Sequence, residues 1–264
     1  MAPAKAFFNN DEKKFPSLLP SVSDEAPEVA KWIDSAYFLM HLDSIGLSKN
    51  IFFYACKGYQ YLLSQNRLAN TSVLTICDYT QSSKNRRLYV IDMNEYKVMF
   101  NTYVSHGKNS GNEYATSFSN RTDTHKSSLG FVVTGETYRG RAGYSLQLDG
   151  MEKGFNDKVK KRNIVMHGSY YVNEKRADEG SSMGRSYGCP AVPYEEHRKI
   201  IDLIKDGSCL FMYANDRFYT STSKILNAHF NWNIPTVPSC PELTASDSNQ
   251  VNTQQNDFVN NKQP

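Results

Sequence analysis

The 264-residue sequence lacks several features that would place it in a large protein class at once. No stretch reaches the roughly 18 to 20 apolar residues that a membrane-spanning helix needs, so no membrane span is expected. The sequence contains no Gly-rich phosphate-binding loop and no repeat of about 20 to 50 residues. No two Cys or His residues stand at close ligand spacing, which argues against a metal site. The sequence therefore gives no reason to expect a cofactor or a metal.

A strong net charge is also missing. Lys and Arg together number 30 and Asp and Glu 27, which leaves a formal net charge of +3 at pH 7. Proteins that follow nucleic-acid phosphates concentrate Lys and Arg on one element, so nucleic acid is not expected as a partner. With 39% hydrophobic residues, a chain of this length can bury a core large enough for one globular domain without a disulfide scaffold.

Cysteine is scarce, and its count is odd. With five cysteines, at least one sulfur cannot take part in an internal disulfide. The first twenty residues also lack the continuous apolar core of a secretory signal, because polar residues 9–12 interrupt them. A cytosolic protein and an exported protein whose signal has been removed both stay open on this evidence.

The N-terminal quarter of the chain reads as helical. Residues 1–22 contain three prolines and no sustained period, which predicts an irregular arm. From Ser23, apolar residues recur at helical spacing, with Ser23 or Asp24 as the N-cap, and a second such segment begins at Ser48. We therefore predict a helical hairpin over residues 23–70 that packs against the rest of the chain.

The rest of the chain is rich in short β-type runs separated by turn residues. The predicted strands are residues 73–79, 88–93, 97–104, 130–136, 144–148, 163–166, 210–213 and 218–222. Several short strands at close spacing favour a mainly antiparallel sandwich or barrel, and with the hairpin this gives an α+β fold. A helix is predicted over 194–206, the β-rich domain spans 71–234, and residues 235–264 form a polar, loosely ordered tail.

Residues 163–193, NIVMHGSYYVNEKRADEGSSMGRSYGCPAVP, could carry chemistry. A thiol attacks only as thiolate, so it needs a nearby base or cation, together with backbone donors for the oxyanion. Cys189 follows Gly188, and His167 lies 22 positions earlier at a predicted strand end, next to the carbonyl of Gly168. Taken singly, a Cys after a Gly is more often a small buried residue, and a lone His is more often a satisfied hydrogen-bonding group.

The joint pattern is more specific than its parts. His-Gly, a gap and then Ser-x-Gly-Cys before a helix resembles the catalytic signature of the L,D-transpeptidases, cysteine enzymes that cross-link bacterial peptidoglycan. The matching residues are His167, Gly168, Ser186, Gly188 and Cys189. The resemblance covers roughly residues 85–215 in layout and leaves out the helical hairpin.

Three departures suggest a divergent branch of that family. Tyr187 replaces the usual second histidine, and the gap between His167 and Ser186 is slightly longer than usual. Residues 190–192, Pro-Ala-Val, stand where many members have an Arg or Asn. These departures concern substrate detail more than the nucleophile and the base.

The resemblance implies a role for each matching residue. Cys189 would be the nucleophile and His167 the general base and later the acid, with its imidazole oriented by the carbonyl of Gly168. The oxyanion donors would be the N–H groups of Gly188 and Cys189, with that of Tyr187 as a further candidate.

Substrate contacts are predicted around these residues. Ser186 would shape the turn and bind substrate, and Arg185 would pair with a stem-peptide carboxylate, although a solvated arginine is an equal alternative. Four tyrosines could form a wall on which a glycan or peptide stacks, although most of the 17 tyrosines must be core or surface residues: Tyr138, Tyr144, Tyr170 and Tyr171. The basic run over 158–162 is read as a solvated loop, with contact to an anionic wall polymer as the lesser alternative. His106 is read as a surface-loop histidine, with a place in the cleft lining as the lesser alternative.

The implied reaction is a pair of acyl transfers on peptidoglycan stem peptides. The thiolate attacks a tetrapeptide stem, D-alanine leaves, and a thioester waits for an amine acceptor, as in a transpeptidase, or for water, as in an L,D-carboxypeptidase. A catalytically silent wall-binding module is the alternative from another class, and the oligomeric state is not predicted. Such an enzyme would be exported to the periplasm or cell envelope.

The odd cysteine count then has an explanation. Cys189 would be the free sulfur, because oxidation into a disulfide would abolish its activity. The remaining four would either pair or sit buried as hydrophobic residues: Cys56, Cys77, Cys209 and Cys240.

Overall fold

The computed structural model describes residues 21–235 and residue 237. The predicted arm over 1–22 and tail over 235–264, including Cys240, therefore fall almost entirely outside the described residues.

Five helices and eight strands are present in the described part of the chain. The helices are α1 (Pro27–Leu39), α2 (Lys49–Ser64), α3 (Glu174–Asp178), α4 (His197–Ile204) and α5 (Arg217–Thr222). The strands are β1 (Val73–Asp78), β2 (Leu88–Asp92), β3 (Lys97–Thr102), β4 (Gly130–Gly140), β5 (Gly143–Gly150), β6 (Val165–Ser169), β7 (Ala191–Pro193) and β8 (Cys209–Tyr213).

All eight strands belong to one mixed sheet in the order β3-β2-β1-β8-β4-β5-β6-β7. Five neighbouring pairs are antiparallel, whereas β1 with β8 and β6 with β7 are parallel. The predicted α+β fold with a mainly antiparallel, barrel-like core is confirmed. Strands β1 and β8 are neighbours in the interior of the sheet and are buried along their whole length, whereas β6 and β7 lie at one end of it.

Helices α1 and α2 pack on this sheet and share its apolar core. The closest approach is at Gly58 of α2, where an added Cβ would lie 2.0 Å from the ring of Phe131 on β4. Only a glycine lets the helix backbone come this near to the sheet, so the predicted hairpin is part of the same folded unit.

The predicted start of α1 is wrong by a few residues. The helix begins at Pro27 with Ala26 as N-cap, a position that suits proline because its missing N–H would have no helical partner. Ser23 and Asp24 instead belong to a short 3-10 turn closed by a capping box. Ser48 does cap α2, since its side chain accepts a hydrogen bond from the N–H of Ile51.

Two further predictions near the C-terminus are corrected. Residues 218–222, expected to form a strand, belong to helix α5, because Asp216 caps it by accepting from the N–H of Tyr219. Helix α4 begins at His197, not at Tyr194, because Ala191–Pro193 pairs with β6 as strand β7. Aromatic and β-branched residues favour strands only weakly, so tertiary packing decided both cases.

Candidate active site

The parallel pairing of β6 with β7 brings the predicted nucleophile and base together. His167 pairs with Ala191, so Cys189, two residues earlier, lies level with Val165. The N–H of Val165 donates to Cys189 Sγ at 3.5 Å. Because side chains alternate along a strand, Val165 and His167 share one face of β6. His167 and Cys189 accordingly line the same cleft, whose volume is about 1210 Å³.

The hydrogen bond of His167 fixes its tautomer. Nδ1 lies 3.0 Å from the carbonyl oxygen of Gly168, which can only accept, so Nδ1 carries the proton and the neutral ring keeps an unprotonated Nε2. Burial lowers the pKa of His167, the Gly168 carbonyl opposes this, and the charge of His197 lowers it further. The imidazole is therefore a neutral base near pH 7. His167 and Gly168 lie within β6, not after its end as predicted.

The thiol of Cys189 rests in its neutral form. Burial raises its pKa, whereas the N–H of Val165 and the charge of Arg162 lower it. The S–H group donates to the carbonyl of Asn163 over 3.7 Å. Within the described residues no hydrogen bond joins Sγ to His167. In free enzymes such a catalytic hydrogen bond often forms only when substrate binds.

A tight turn presents the cysteine. Gly188 has φ +119°, and an added Cβ would lie 2.7 Å from the carbonyl oxygen of Lys126, so only glycine fits. Ser186 Oγ accepts from the N–H of Gly188 at 3.0 Å and donates to the carbonyl of Cys189 at 2.6 Å. Ser186 thus shapes the turn as predicted.

This turn corrects one expectation about the oxyanion donors. The N–H of Gly188 is taken by Ser186 Oγ and so does not point freely at the cleft. The N–H groups of Tyr187 and Cys189 donate to no group in the part of the chain that the structure describes. These two N–H groups are the ones left available for an oxyanion.

The segment after β3 holds the cysteine turn in place. Gly107 forms a bridge with Ser186, and Ser127 Oγ accepts from the N–H of Gly107 while donating to the carbonyl of Gly188 at 3.2 Å. An added Cβ at Gly107 would meet the backbone of His125 at 2.5 Å. Close contacts with the segment 107–127 therefore fix the backbone of residues 186–188, which precede Cys189.

His106 has a structural place, contrary to the surface-loop prediction. It is 1% exposed, and Arg87 Nη2 donates to its Nδ1 at 2.8 Å while Nε2 lies 3.3 Å from the carbonyl of Gly111. Burial and the charge of Arg87 lower its pKa to about 4. Both ring nitrogens are engaged, so His106 cannot exchange protons with the cleft.

Arg162 is a site residue that the sequence reasoning missed. Its Nη1 donates to the carbonyl of Ser119 and to Ser128 Oγ, and its Nη2 to the carbonyl of Lys126, all at 2.6 Å. This half-buried guanidinium lines the cleft beside Cys189. Its sequence signal is weak, since an arginine that ends a basic run before a strand is also typical of a solvated loop.

A sequence model of the L,D-transpeptidase catalytic domain family matches residues 44–213. The chain belongs to this family. The match includes α2, which the motif resemblance over residues 85–215 left out. No curated protein sequence is similar enough to this chain to count as a relative.

The solved structures that match this chain have low sequence identity and low TM-scores. An L,D-transpeptidase from Mycobacterium smegmatis is 10% identical, with a TM-score of 0.34 over 54% of this chain and 59% of that one. The L,D-transpeptidase Yku from Stackebrandtia nassauensis is 15% identical, with a TM-score of 0.33 over 62% of this chain and 67% of that one. The helical cell shape determining protein Pgp2 from Campylobacter jejuni is 14% identical, with a TM-score of 0.35 over 61% of this chain and 57% of that one. The chain thus spans about three fifths of the M. smegmatis protein's length.

In this L,D-transpeptidase domain, Arg185 and Tyr187 form part of the cleft wall. Arg185 is tied to a neighbouring loop, because its Nη1 donates to Asn112 Oδ1 at 2.7 Å. The ring of Tyr187 is 66% exposed, lies 4.5 Å from that of His125, and has Lys108 Nζ 4.4 Å above its centroid. Its two neighbours hold the exposed ring in place.

The expected stacking role of Tyr170 is not met by its position. Its ring packs on Tyr194 with centroids 4.0 Å apart and does not line the cleft, whereas the adjacent Tyr171 does. Of the four tyrosines predicted for the stacking wall, Tyr138 and Tyr171 line the cleft, whereas Tyr144 and Tyr170 do not.

The described residues contain no group of three or more His, Cys, Asp or Glu that could hold a metal ion. Among them, no helix is long and apolar enough to cross a membrane. Cys56, Cys77 and Cys209 are buried and unpaired, as expected of cysteines that serve as hydrophobic residues.

Proposed function

We propose that this L,D-transpeptidase domain transfers acyl groups of peptidoglycan stem peptides through a thioester on Cys189. The observation that carries the proposal is that His167 on β6 and Cys189, in the turn just before the paired strand β7, line one cleft, with Nδ1 of His167 held by a backbone carbonyl. A neutral imidazole with a free Nε2 is the form that a general base requires.

The first half-reaction forms the thioester. When Sγ turns from the Asn163 carbonyl toward the cleft, Nε2 of His167 takes the thiol proton and the thiolate attacks the stem carbonyl that follows an L-centre. The N–H groups of Cys189 and Tyr187, which have no acceptor among the described residues, would bind the oxyanion. Collapse of the intermediate breaks the C–N bond, and His167 returns the proton to the amine of the leaving D-alanine.

The second half-reaction releases the acyl group. An amine from a neighbouring stem attacks the thioester and loses a proton to Nε2 of His167, and this proton then neutralises the departing Cys189 thiolate. The product is an amide cross-link. Water in place of the amine gives a shortened stem, which is L,D-carboxypeptidase activity. The substrate places the working enzyme in the cell envelope.

Incubation with disaccharide tetrapeptides, followed by mass spectrometry, tests the proposal. Cross-linked dimers that have lost D-alanine are expected from the wild type and are absent with Cys189→Ala. The matched control Cys56→Ala removes a buried thiol on α2 and is expected to retain activity. If tripeptides were the sole product, the activity would be that of an L,D-carboxypeptidase and not that of a transpeptidase. Unchanged tetrapeptides would overturn both assignments.

Reaction with a carbapenem tests the reactivity of Cys189 independently of the proposed stem-peptide substrate. A covalent adduct mapped to Cys189 together with unchanged stems would mean that the nucleophile is active and the substrate is wrong. Absence of both adduct and turnover would favour the catalytically silent module.

A further inference from the structure

The active-site cleft is far more cationic than the protein as a whole. The entire chain has a formal net charge of +3. Among the described residues that line the cleft, Asp123 is the single carboxylate, against five cationic side chains. The cations are Lys108, Arg141, Lys161, Arg162 and Arg185. A concave site lined by one sign of charge concentrates ligands of the opposite sign.

Three of these cations already have partners within the protein. Arg162 donates to backbone carbonyls, Arg185 is tied to Asn112, and Lys108 lies over the ring of Tyr187. Arg141 and Lys161 make no hydrogen bond, ion pair or ring contact with any described residue. Two cations therefore face the cleft with their hydrogen-bonding capacity unused.

The cations flank the nucleophile on both sides. Arg141 lies in the β4–β5 turn, near the His167 end of β6 on its β5 side because Ser145 pairs with His167, and Lys161 lies just before the opposite end of β6. Lys108 and Arg185 belong to segments joined by the Gly107–Ser186 bridge on the other side. A bound acyl chain that passes over Cys189 would meet positive charge at both of its ends.

We propose that this cleft selects acyl donors that carry at least two free carboxylates, one on the leaving D-amino acid and one on the retained part of the stem. This inference rests on the proposed function and narrows its substrate to stems whose side-chain carboxylates are not amidated. Carboxylates satisfy the unused donors of Arg141 and Lys161 and offset repulsion among the lining cations. A fork-shaped guanidinium such as Arg141 suits a carboxylate particularly well.

The test measures binding without turnover. Cys189→Ala protein is titrated calorimetrically with a tetrapeptide stem whose carboxylates are free, and with the same peptide amidated on its retained carboxylate. The amidated peptide is expected to bind about tenfold more weakly, and added salt is expected to weaken the free-acid peptide more. Equal affinities for the two peptides would overturn the proposal.

Single substitutions then locate the effect. In the Cys189→Ala background, Arg141→Gln or Lys161→Gln is expected to weaken the free-acid peptide about fivefold; at least one of them should leave the amidated peptide unchanged. Lys158→Gln is the matched control, because it removes a cation from the same turn but outside the cleft lining. An equal loss with Lys158→Gln would mean that net charge alone acts, which contradicts a built site.

Two outcomes distinguish this inference from its foundation. Discrimination between the peptides by the Cys189→Ala protein, without turnover by the wild type, would uphold the cleft's selectivity and refute the proposed reaction. Turnover of both peptides at equal kcat/KM would uphold the proposed reaction and refute the cleft's selectivity for carboxylates. If poly(glycerol phosphate) displaced the free-acid peptide, and Lys161→Gln prevented this displacement, the cleft would instead bind a phosphodiester polymer.

Discussion

Two His-Gly dipeptides follow β-type runs in this chain, and the structure uses them in opposite ways. His106 and His167 are both shielded from solvent, and burial lowers both pKa values. His106 has both ring nitrogens engaged, by Arg87 and by the Gly111 carbonyl. His167 has only Nδ1 engaged, by the carbonyl of Gly168, and it lines the cleft. The number of free ring nitrogens separates a structural histidine from a candidate base.

Each dipeptide also has an arginine nearby, with a different target. Arg87 is fully buried, donates to the carbonyls of Val104 and Gln81, and bonds directly to His106. Arg162 bonds to the loop before β4, and its charge acts on the thiol of Cys189. The first arginine keeps a histidine neutral as part of the framework, and the second favours the charged form of the Cys189 thiol.

The largest contrast is expected from matched substitutions of the two histidines. His167→Gln should reduce acyl transfer by roughly 10²- to 10⁴-fold, because it removes the base, while the protein stays folded. His106→Gln should lower the free energy of unfolding yet leave kcat of the folded protein within about threefold. The muropeptide assay and urea unfolding check both variants. A folded His106→Gln protein without activity would contradict the assignment.

The next largest effect concerns acid stability. His106 binds a proton near pH 6.5 when unfolded and near pH 4 when folded, so the unfolded state holds more protons between these values. The free energy of unfolding should therefore fall by about 3 kcal/mol as the pH drops from 6.5 to 4. In His106→Gln this contribution disappears. Urea unfolding at pH 7 and pH 4.5 should show a smaller pH dependence in the variant, and an unchanged dependence would refute the role.

A smaller effect is expected from the two glycines. An added Cβ at Gly168 would meet the His197 ring at 2.5 Å, whereas at Gly107 it would meet the backbone of His125. Gly168→Ala and Gly107→Ala should each destabilise the fold by about 1–3 kcal/mol. Truncation of His197 to Ala should reduce the cost of Gly168→Ala and leave that of Gly107→Ala unchanged. Thermal unfolding of the double variants measures this coupling, and additive costs at Gly168 would disprove the contact.

The smallest effect is expected at Arg162. Because its positive charge lowers the pKa of Cys189, Arg162→Gln should raise that pKa and slow alkylation of Cys189 by iodoacetamide at pH 8 about threefold. Arg162→Lys keeps the charge and should react at nearly the wild-type rate. Equal slowing by both variants would indicate that Arg162 acts through loop packing alone.

The parts of the fold and site that were predicted depend on neighbours in sequence. Short β-type runs between turn residues indicated most strands, Ser48 indicated the start of α2, and the Gly188-Cys189 and His167-Gly168 pairs indicated the candidate nucleophile and base. The missed features depend on distant contacts. The strand prediction for residues 218–222 failed because Tyr219 is buried on a helix and its hydroxyl donates to Glu152, 67 residues away in sequence. Arg162 was missed because its partners lie 34 to 43 residues away.

The sequence by itself determined the α+β class, the family, and the residues that could act as nucleophile and base, because these depend on local periodicity and on a motif within one stretch, residues 167–189. It did not determine which His-Gly dipeptide faces the cleft. That choice required the parallel pairing of β6 with β7, which sets His167 and Cys189 on one face, and the burial of Arg87 against His106. Tertiary structure decides such roles because proton transfer needs a free ring nitrogen near its partner, and only folding engages one histidine fully and leaves the other with Nε2 open.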